Sequence, residues 1–454
     1  MSSPAYNHAL SVSHHVFMNL QNEKFYILPE NSEVTSPVAL RSVQDIVSLL
    51  NPCYTTPLEL PSTSYDLNHK PYMVGYVGLN NISNNDYSNV IIQLLVHITP
   101  IRDFFLTEDV TSLLSVSFRT LVKKLWSSHL YKSHISPHEF LQTVSSESKG
   151  QFSFTPQQSP KKFLVWILNQ LHKNKMKSGK EIKGNSSEKL AESSGNLTNS
   201  SEKLINYSGK LTESSPKLPN SSSNFANPSG KSSSSSSSSP SSSCLSKSLQ
   251  GSLQVKTIPL VTKQINNKTE FITDTESASI TLLKFWILTL DLPPTSLFSQ
   301  ESKINEVELV DLLQKYNGTK TTQTSPNELK TYKLKSLPPY LLLHIDRGLE
   351  GNDKRGNPTV VKYPEVLDLE PFLESKNSQS SAKHKLPTKY KLVANIKHSL
   401  IMGDDIGHGD DKNQWSISIR RDDEWILISD LEVKKCEGEL MFLDENYIQL
   451  WKRC

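Results

Sequence analysis

Cysteine is scarce in this sequence: 454 residues hold four, Cys53, Cys244, Cys436 and Cys454. No two are close enough to make a CxxC pair, so neither a disulfide framework nor a thiolate metal site is indicated. Thiols this sparse fit a reducing compartment. Net charge of one sign is missing as well. Lysine and arginine number 49 against 46 acidic residues, a formal +3, and that balance names no partner. No apolar run approaches the ~20 residues a bilayer requires, so no membrane partner is expected. The most apolar stretch, residues 280–292, contains Lys284 and ends at Asp291 and Pro293; a buried strand is expected there. The start of the chain has no basic segment leading into an apolar one, so no secretory signal is expected. No stacked-aromatic RNA-binding motif occurs, which argues against sequence-specific nucleic-acid binding.

What is present divides sharply by composition. Hydrophobic residues make up 36% and charged residues 21%, enough for a sizeable core beside a polar portion. The polar portion lies at 175–248. It contains eight consecutive serines, Ser232 to Ser239, and an imperfect repeat: NSSEKL from Asn185, NSSEKL from Asn199, ESSPKL from Glu213 and NPSGKS from Asn227. One leucine per repeat at best cannot build a core, so this segment is expected to be a disordered insertion, tolerated as a surface-loop expansion. KNKMKSGKEIK from Lys173 is a weak basic cluster, read first as solvated linker. Helical signals dominate from Asp86 to His172. Ser136, Pro137 and Glu139 suggest a capped helix start, and Phe163, Trp166, Ile167 and Leu171 recur at helical spacing. After residue 250 the pattern turns to strands: LQVKTIPLV, LPPYLLLHIDR, YKLVANIKH, WSISIRR and YIQLWKR. Helices first and strands later imply an α+β fold with segregated layers.

One constellation carries chemistry. GLNNISNNDYSN, Gly78 to Asn89, feeds a helix with Tyr87, Val90, Ile91, Leu94, Leu95 and Ile98 on one face, ending before Pro100. A glycine- and asparagine-rich turn entering a buried helix is where cysteine peptidases place a thiol, because the helix N-terminus favours thiolate. The stretch resembles the cysteine box of ubiquitin-specific proteases, G-L-x-N-x-G-N-T-C-Y-x-N, at Gly78, Leu79, Asn81, Asn84, Tyr87 and Asn89. FLVWILNQLH from Phe163, LPPYLLLHIDR from Leu337, NPTVVKYPEVLDL from Asn357, YKLVANIKH from Tyr390 and YIQLWKR from Tyr447 follow in that family's order. The wording is similar to a catalytically inactive, spliceosomal tri-snRNP-associated branch of the family. The resemblance implies the papain-like fold of thumb, palm and fingers: a helical thumb at 75–174, the insertion at 175–248, and fingers and palm at 249–454. SHHVFMNLQNEKFYILPEN from Ser13 resembles the end of a ubiquitin-protease-type zinc finger, so 1–60 is expected to be the truncated C-terminal part of one.

The same resemblance implies a triad with each member replaced. Asp86 stands at the nucleophile position, Gln414 at the histidine, since Trp415 takes the place of the tyrosine that follows it, and Ser429 at the first acidic position, with Asp430 at the second. Asn81 matches the oxyanion position. Asp86 is expected to act as a helix N-cap, and glutamine cannot exchange a proton near neutral pH. His408 in Gly407-His408-Gly409 and Cys53 before Tyr54 imitate the histidine and cysteine motifs, but neither has the strand or helix context the chemistry needs. Active relatives hold a fingers zinc through cysteine pairs, whereas Leu249 to Ile428 has no cysteine. His8 and His14 match ligand positions of the zinc finger, yet structural zinc wants four ligands. No cofactor is expected; zinc would bind only if that finger were completed upstream. The expectation is a nuclear, non-catalytic scaffold with tri-snRNP proteins as partners and ubiquitin or a ubiquitin-like protein as a further one. The alternatives are a deubiquitinating peptidase with a non-standard site and a ubiquitin-binding adaptor.

Overall fold

A computed structural model describes residues 3–19, 24–42, 46, 52, 54, 58, 60–181, 243–265, 268–294, 305–325, 327–349, 356–373, 387–401 and 412–454. Cys53, His408 and most of the serine-rich repeat lie outside these residues. The chain divides into two compact units. The first takes Met1–Asn85, Leu95–Pro156 and Ile428–Lys434; the second takes Asp86–Leu94, Gln157–Leu427 and Lys435–Cys454.

In the first unit, helix α1 (Pro4–Val12) starts at Ser3, whose hydroxyl accepts the Tyr6 N–H at 3.2 Å. Strands β1 (Val16–Asn19), β2 (Lys24–Ile27) and β3 (Ser32–Glu33) form an antiparallel sheet, and α2 (Pro37–Ser42) follows. The hairpin of β4 (Thr63–Tyr65) and β5 (Pro71–Met73) is closed by Asp66, whose carboxylate accepts the N–H groups of Asn68, Lys70 and Ser133. Strand β6 (Gly78–Leu79) leads to α3 (Asp86–Val96), which begins in the second unit and finishes in the first. Then come α4 (Thr99–Thr107), α5 (Leu113–Leu125), β7 (His134–Ile135) and α6 (His138–Glu147). Phe105 meets Phe118 edge-on and Phe118 meets Phe140 at a tilt, and the three rings pack these helices together. Gly75 has φ +86 and lies against the Trp126 ring, where a Cβ would come within 2.6 Å; only glycine fits there. The capping box expected at Ser136 does not form. Pro137 occupies the cap position without a side-chain bond, and Glu139 reaches Lys124 instead.

All six apolar positions expected on α3 are buried, and so are Ser88, Asn89 and Gln93. The helix is therefore enclosed around its circumference rather than half-solvated. In the second unit, α7 (Pro160–Glu181) buries Phe163, Leu164, Ile167, Leu168 and Leu171. It runs past the expected start of the insertion at 175. Its partner α8 (Cys244–Leu249) is capped by Ser243 and buries Leu245 and Leu249, so this helix lies within the range 175–248 read as insertion, save its last residue.

The remaining elements are β8 (Gly251–Ile265), β9 (Lys268–Thr273), β10 (Ser279–Phe285), β11 (Ile287–Asp291), β12 (Glu306–Glu308), α9 (Leu309–Leu313), β13 (Asn317–Ser325), β14 (Glu328–Ser336), β15 (Tyr340–Asp346), β16 (Val360–Lys362), β17 (Val366–Asp368), β18 (Lys389–Ile401), β19 (Lys412–Arg421) and β22 (Glu445–Arg453), all in the second unit, with β20 (Glu424–Ser429) and β21 (Glu432–Cys436), each of which has residues in both units. One antiparallel sheet has the order β10-β8-β14-β13, with β9 also on β8. A larger sheet has the order β11-β15-β22-β18-β19-β20-β21, with β17 beside β18. The apolar run of β15 is buried on both faces, as a central strand should be. The expected single buried strand at 280–292 is in fact two strands in different sheets, broken at Trp286. Ile280 and Leu282 are each 66% exposed. High apolar content identified a strand but not which faces were covered.

Candidate functional site

The turn before α3 is built by asparagines. The side-chain oxygen of Asn85 accepts the Ile82 N–H at 2.6 Å, and that of Asn81 accepts the Asn85 N–H at 3.1 Å. Asn81 also donates from Nδ2 to Asp430 Oδ2 at 3.1 Å, and the Asp430 carbonyl accepts the Leu79 N–H at 2.9 Å. The first unit thus brings together the oxyanion-position asparagine and the second acidic position, with both side-chain atoms of Asn81 engaged in holding the turn. Ser429 ends β20 and is half-buried.

In the second unit Asp86 is 2% exposed. It is the first helical residue, with Asn85 at the cap position, so the expected N-cap role is corrected. Its Oδ1 does accept one first-turn N–H, from Tyr87 at 3.0 Å. The same oxygen accepts from Gln157 Nε2 at 2.6 Å, and Oδ2 accepts the Trp415 N–H at 3.0 Å. Gln157 also donates to the Asn413 carbonyl at 3.0 Å. The carboxylate therefore ties the start of α3 to the chain before α7 and to β19, and together Asp86 and Gln157 hold β19 on either side of Gln414. That residue is half-buried and pairs across the sheet with Ser399.

The network continues inward. Asn413 Oδ1 lies 3.0 Å from His398 Nε2, and His398 Nδ1 lies 2.9 Å from Glu445 Oε2. The Trp415 ring lies between His398, at 5.1 Å, and Tyr447, at 4.7 Å; Tyr447 in turn meets His344 edge-on at 4.7 Å. Burial, assisted by Lys161, holds the His344 imidazole well below its ordinary range. Burial likewise pushes the Arg347 guanidinium down to about 10, against a smaller opposing pull from Glu445. Sequence reasoning missed Gln157, His398 and Glu445. Gln157 has no local signature. His398 and Glu445 are paired only by the register of β18 and β22, which a strand alignment of the two motifs could have found.

Acyl transfer needs a nucleophile with a base in hydrogen-bond reach. The partners of Asp86 named above are N–H donors, and none of them accepts a proton. His398 has both ring nitrogens bonded. Among the described thiols, Cys244 opens α8, where the neighbouring His172 Nδ1 bonds Ser243 Oγ at 2.7 Å. Cys436 is half-buried beside Ser418, and Cys454 is exposed. As for metal, His8 Nε2 and His14 Nδ1 lie 3.0 Å apart. No group of three or more His, Cys, Asp or Glu side chains able to hold a metal ion occurs among the described residues. Two histidines bonded to each other do not fit the four-ligand requirement of structural zinc.

The sequence profile described as ubiquitin carboxyl-terminal hydrolase matches residues 77–451. The "Probable mRNA-splicing protein ubp10" of Schizosaccharomyces pombe is 32% identical over all of this chain and 80% of its own length. The "Pre-mRNA-splicing factor SAD1" of Saccharomyces cerevisiae is 25% identical over 99% of this chain and 83% of its own. A crystal structure described as that of an essential yeast splicing factor shares the fold, with a TM-score of 0.66 at 23% identity over 100% of this chain and 88% of that one. With the profile spanning both the helical and the stranded parts, the chain belongs to the ubiquitin carboxyl-terminal hydrolase family.

Proposed function

We propose that this chain is a non-catalytic member of its family and serves as a scaffold in pre-mRNA splicing, supporting tri-snRNP assembly in the nucleus. The observation that carries the loss of catalysis is the Asp86 carboxylate, fastened by N–H donors at the nucleophile position. An aspartate so placed is a weak nucleophile toward an amide, and glutamine at position 414 offers no base. The splicing role is supported by relatives named as splicing proteins that align along nearly the whole chain. The family profile still spans residues 77–451 while other side chains stand at the catalytic positions, as in a scaffold retained for its surfaces.

Two measurements test the two halves. Pull-down of the tagged chain from nuclear extract should recover tri-snRNP proteins; recovery of ubiquitin without them would assign an adaptor role instead. Asp86→Cys should leave hydrolysis of a fluorogenic ubiquitin C-terminal amide at background, because a thiol at that position still lacks a base. Turnover by the parent chain, abolished on replacing one of its four cysteines, would establish a deubiquitinase with a non-standard site.

A further inference from the structure

Strand β10 is an open edge among the described residues, where it is bonded to β8 alone. Its inner face packs the half-buried Leu283 against a core that holds Leu253, Val255 and Leu334. Its outer face carries Ile280, Leu282 and Lys284 at alternate positions. The two aliphatic residues are the ones found 66% exposed. Natural sheets protect such edges with short strands, proline, bulges or charge. β10 has seven residues and, on this face, one charge, at its end.

The register extends this outer face across the sheet. Ile280 lies opposite Lys256, Leu282 opposite Gln254 and Lys284 opposite Ser252. On β14, Thr331 lies opposite Lys256 and Lys333 opposite Gln254. The face therefore holds Lys256, Lys284 and Lys333 around two exposed aliphatic side chains, and none of these registered positions is a carboxylate. A second copy of the chain is a poor occupant, since edge-to-edge pairing would bring two lysine-bearing faces together with no carboxylate at the registered positions.

We propose that the β10 edge is a docking site for an extended acidic and apolar segment of a partner protein, added as a further strand. Backbone hydrogen bonds would supply affinity, and alternate side chains would supply choice. The segment would set two apolar residues, two positions apart, against Ile280 and Leu282, and a carboxylate two positions further on against Lys284. This goes beyond the scaffold role and does not depend on it.

The test uses the purified full chain and a fluorescein-labelled peptide, Glu-Thr-Val-Thr-Val-Thr-Glu, with a control carrying lysine in place of glutamate. Fluorescence anisotropy should show saturable binding of the acidic peptide below about 1 mM. Binding should be at least about tenfold weaker for the lysine peptide and for the I280K/L282K double variant. Because both side chains are exposed, the variant should melt with the parent chain. Absence of saturable binding would overturn the proposal, as would equal binding of the two peptides or by the two proteins. So would a dimer in sedimentation that the double variant abolishes, which would give the edge to a second copy.

Discussion

Removing the Asp86 side chain would leave the buried Trp415 N–H without the carboxylate oxygen it donates to, and would leave Gln157 with only its bond to the Asn413 carbonyl. A buried donor so orphaned costs about 1–3 kcal/mol, so Asp86→Ala should lower stability by about 1–3 kcal/mol. Urea unfolding checks this: the midpoint should fall with the slope unchanged. A midpoint within error of the parent would mean that the carboxylate is not the tie described above. His344 makes a second prediction at the same scale. Its imidazole is held neutral by burial, below the ordinary value of 6.5, so as pH falls the unfolded chain takes up this proton first. The stability linked to His344 is full above about pH 6.5 and is lost below it. His344→Phe keeps the edge-on contact with Tyr447 and removes the proton. Between about pH 7.5 and about pH 5.5 the parent should lose about 1.4 kcal/mol more than this variant. Equal losses in the two proteins would show that His344 is not buried as a neutral ring.

At the scale of elements, Arg347 follows the end of β15 and joins three pieces of chain. Its guanidinium donates to the carbonyls of Asn446 at 2.8 Å, Asn357 at 2.6 Å and Thr359 at 3.0 Å. The fork geometry matters: a lysine reaches fewer acceptors from a point charge. Arg347→Ala should destabilise by about 3–5 kcal/mol, because buried carbonyls lose their donors, and Arg347→Lys should recover only part of that; full recovery in the lysine variant, read by chemical denaturation, would reduce the role to charge. Some elements could be read from the sequence and some could not, for physical reasons. α3, α7 and β15 announce themselves because apolar periodicity and unbroken apolar runs report burial directly. The stretch at 280–292 misled because apolar content says nothing about whether a neighbour covers the face, and among the described residues β10 has none on its outer edge. The capping box at Ser136 had the right residues, but the helix starts one position later, with Pro137 at the cap. Asp86 itself was legible through the motif around it. Its partners were not, since the bonds to Gln157 and Trp415 span 71 and 329 positions and leave no local pattern.

At the scale of the whole molecule, the question is how a protease-like fold tolerates a long serine-rich stretch inside it. The two described ends of that stretch belong to helices that touch. His172 on α7 bonds Ser243, the cap of α8, at 2.7 Å. From His172 the helix continues nine residues to Glu181, a rise of about 14 Å. A linker of about ten residues, reaching ~3.3 Å per residue, spans that return with slack. Replacing residues 182–242 by such a glycine–serine linker should therefore leave every contact of α7 and α8 in place. Loop-closure entropy changes by only ~0.6 kcal/mol per doubling of length, and here the change favours the shorter loop. The shortened chain should unfold at the same urea concentration or a higher one, with a gain of no more than about 1.5 kcal/mol, and should recover the same partners in pull-down. A loss of stability would show that the stretch packs against the folded part. Kept stability with lost partners would make it a binding segment rather than a tolerated expansion.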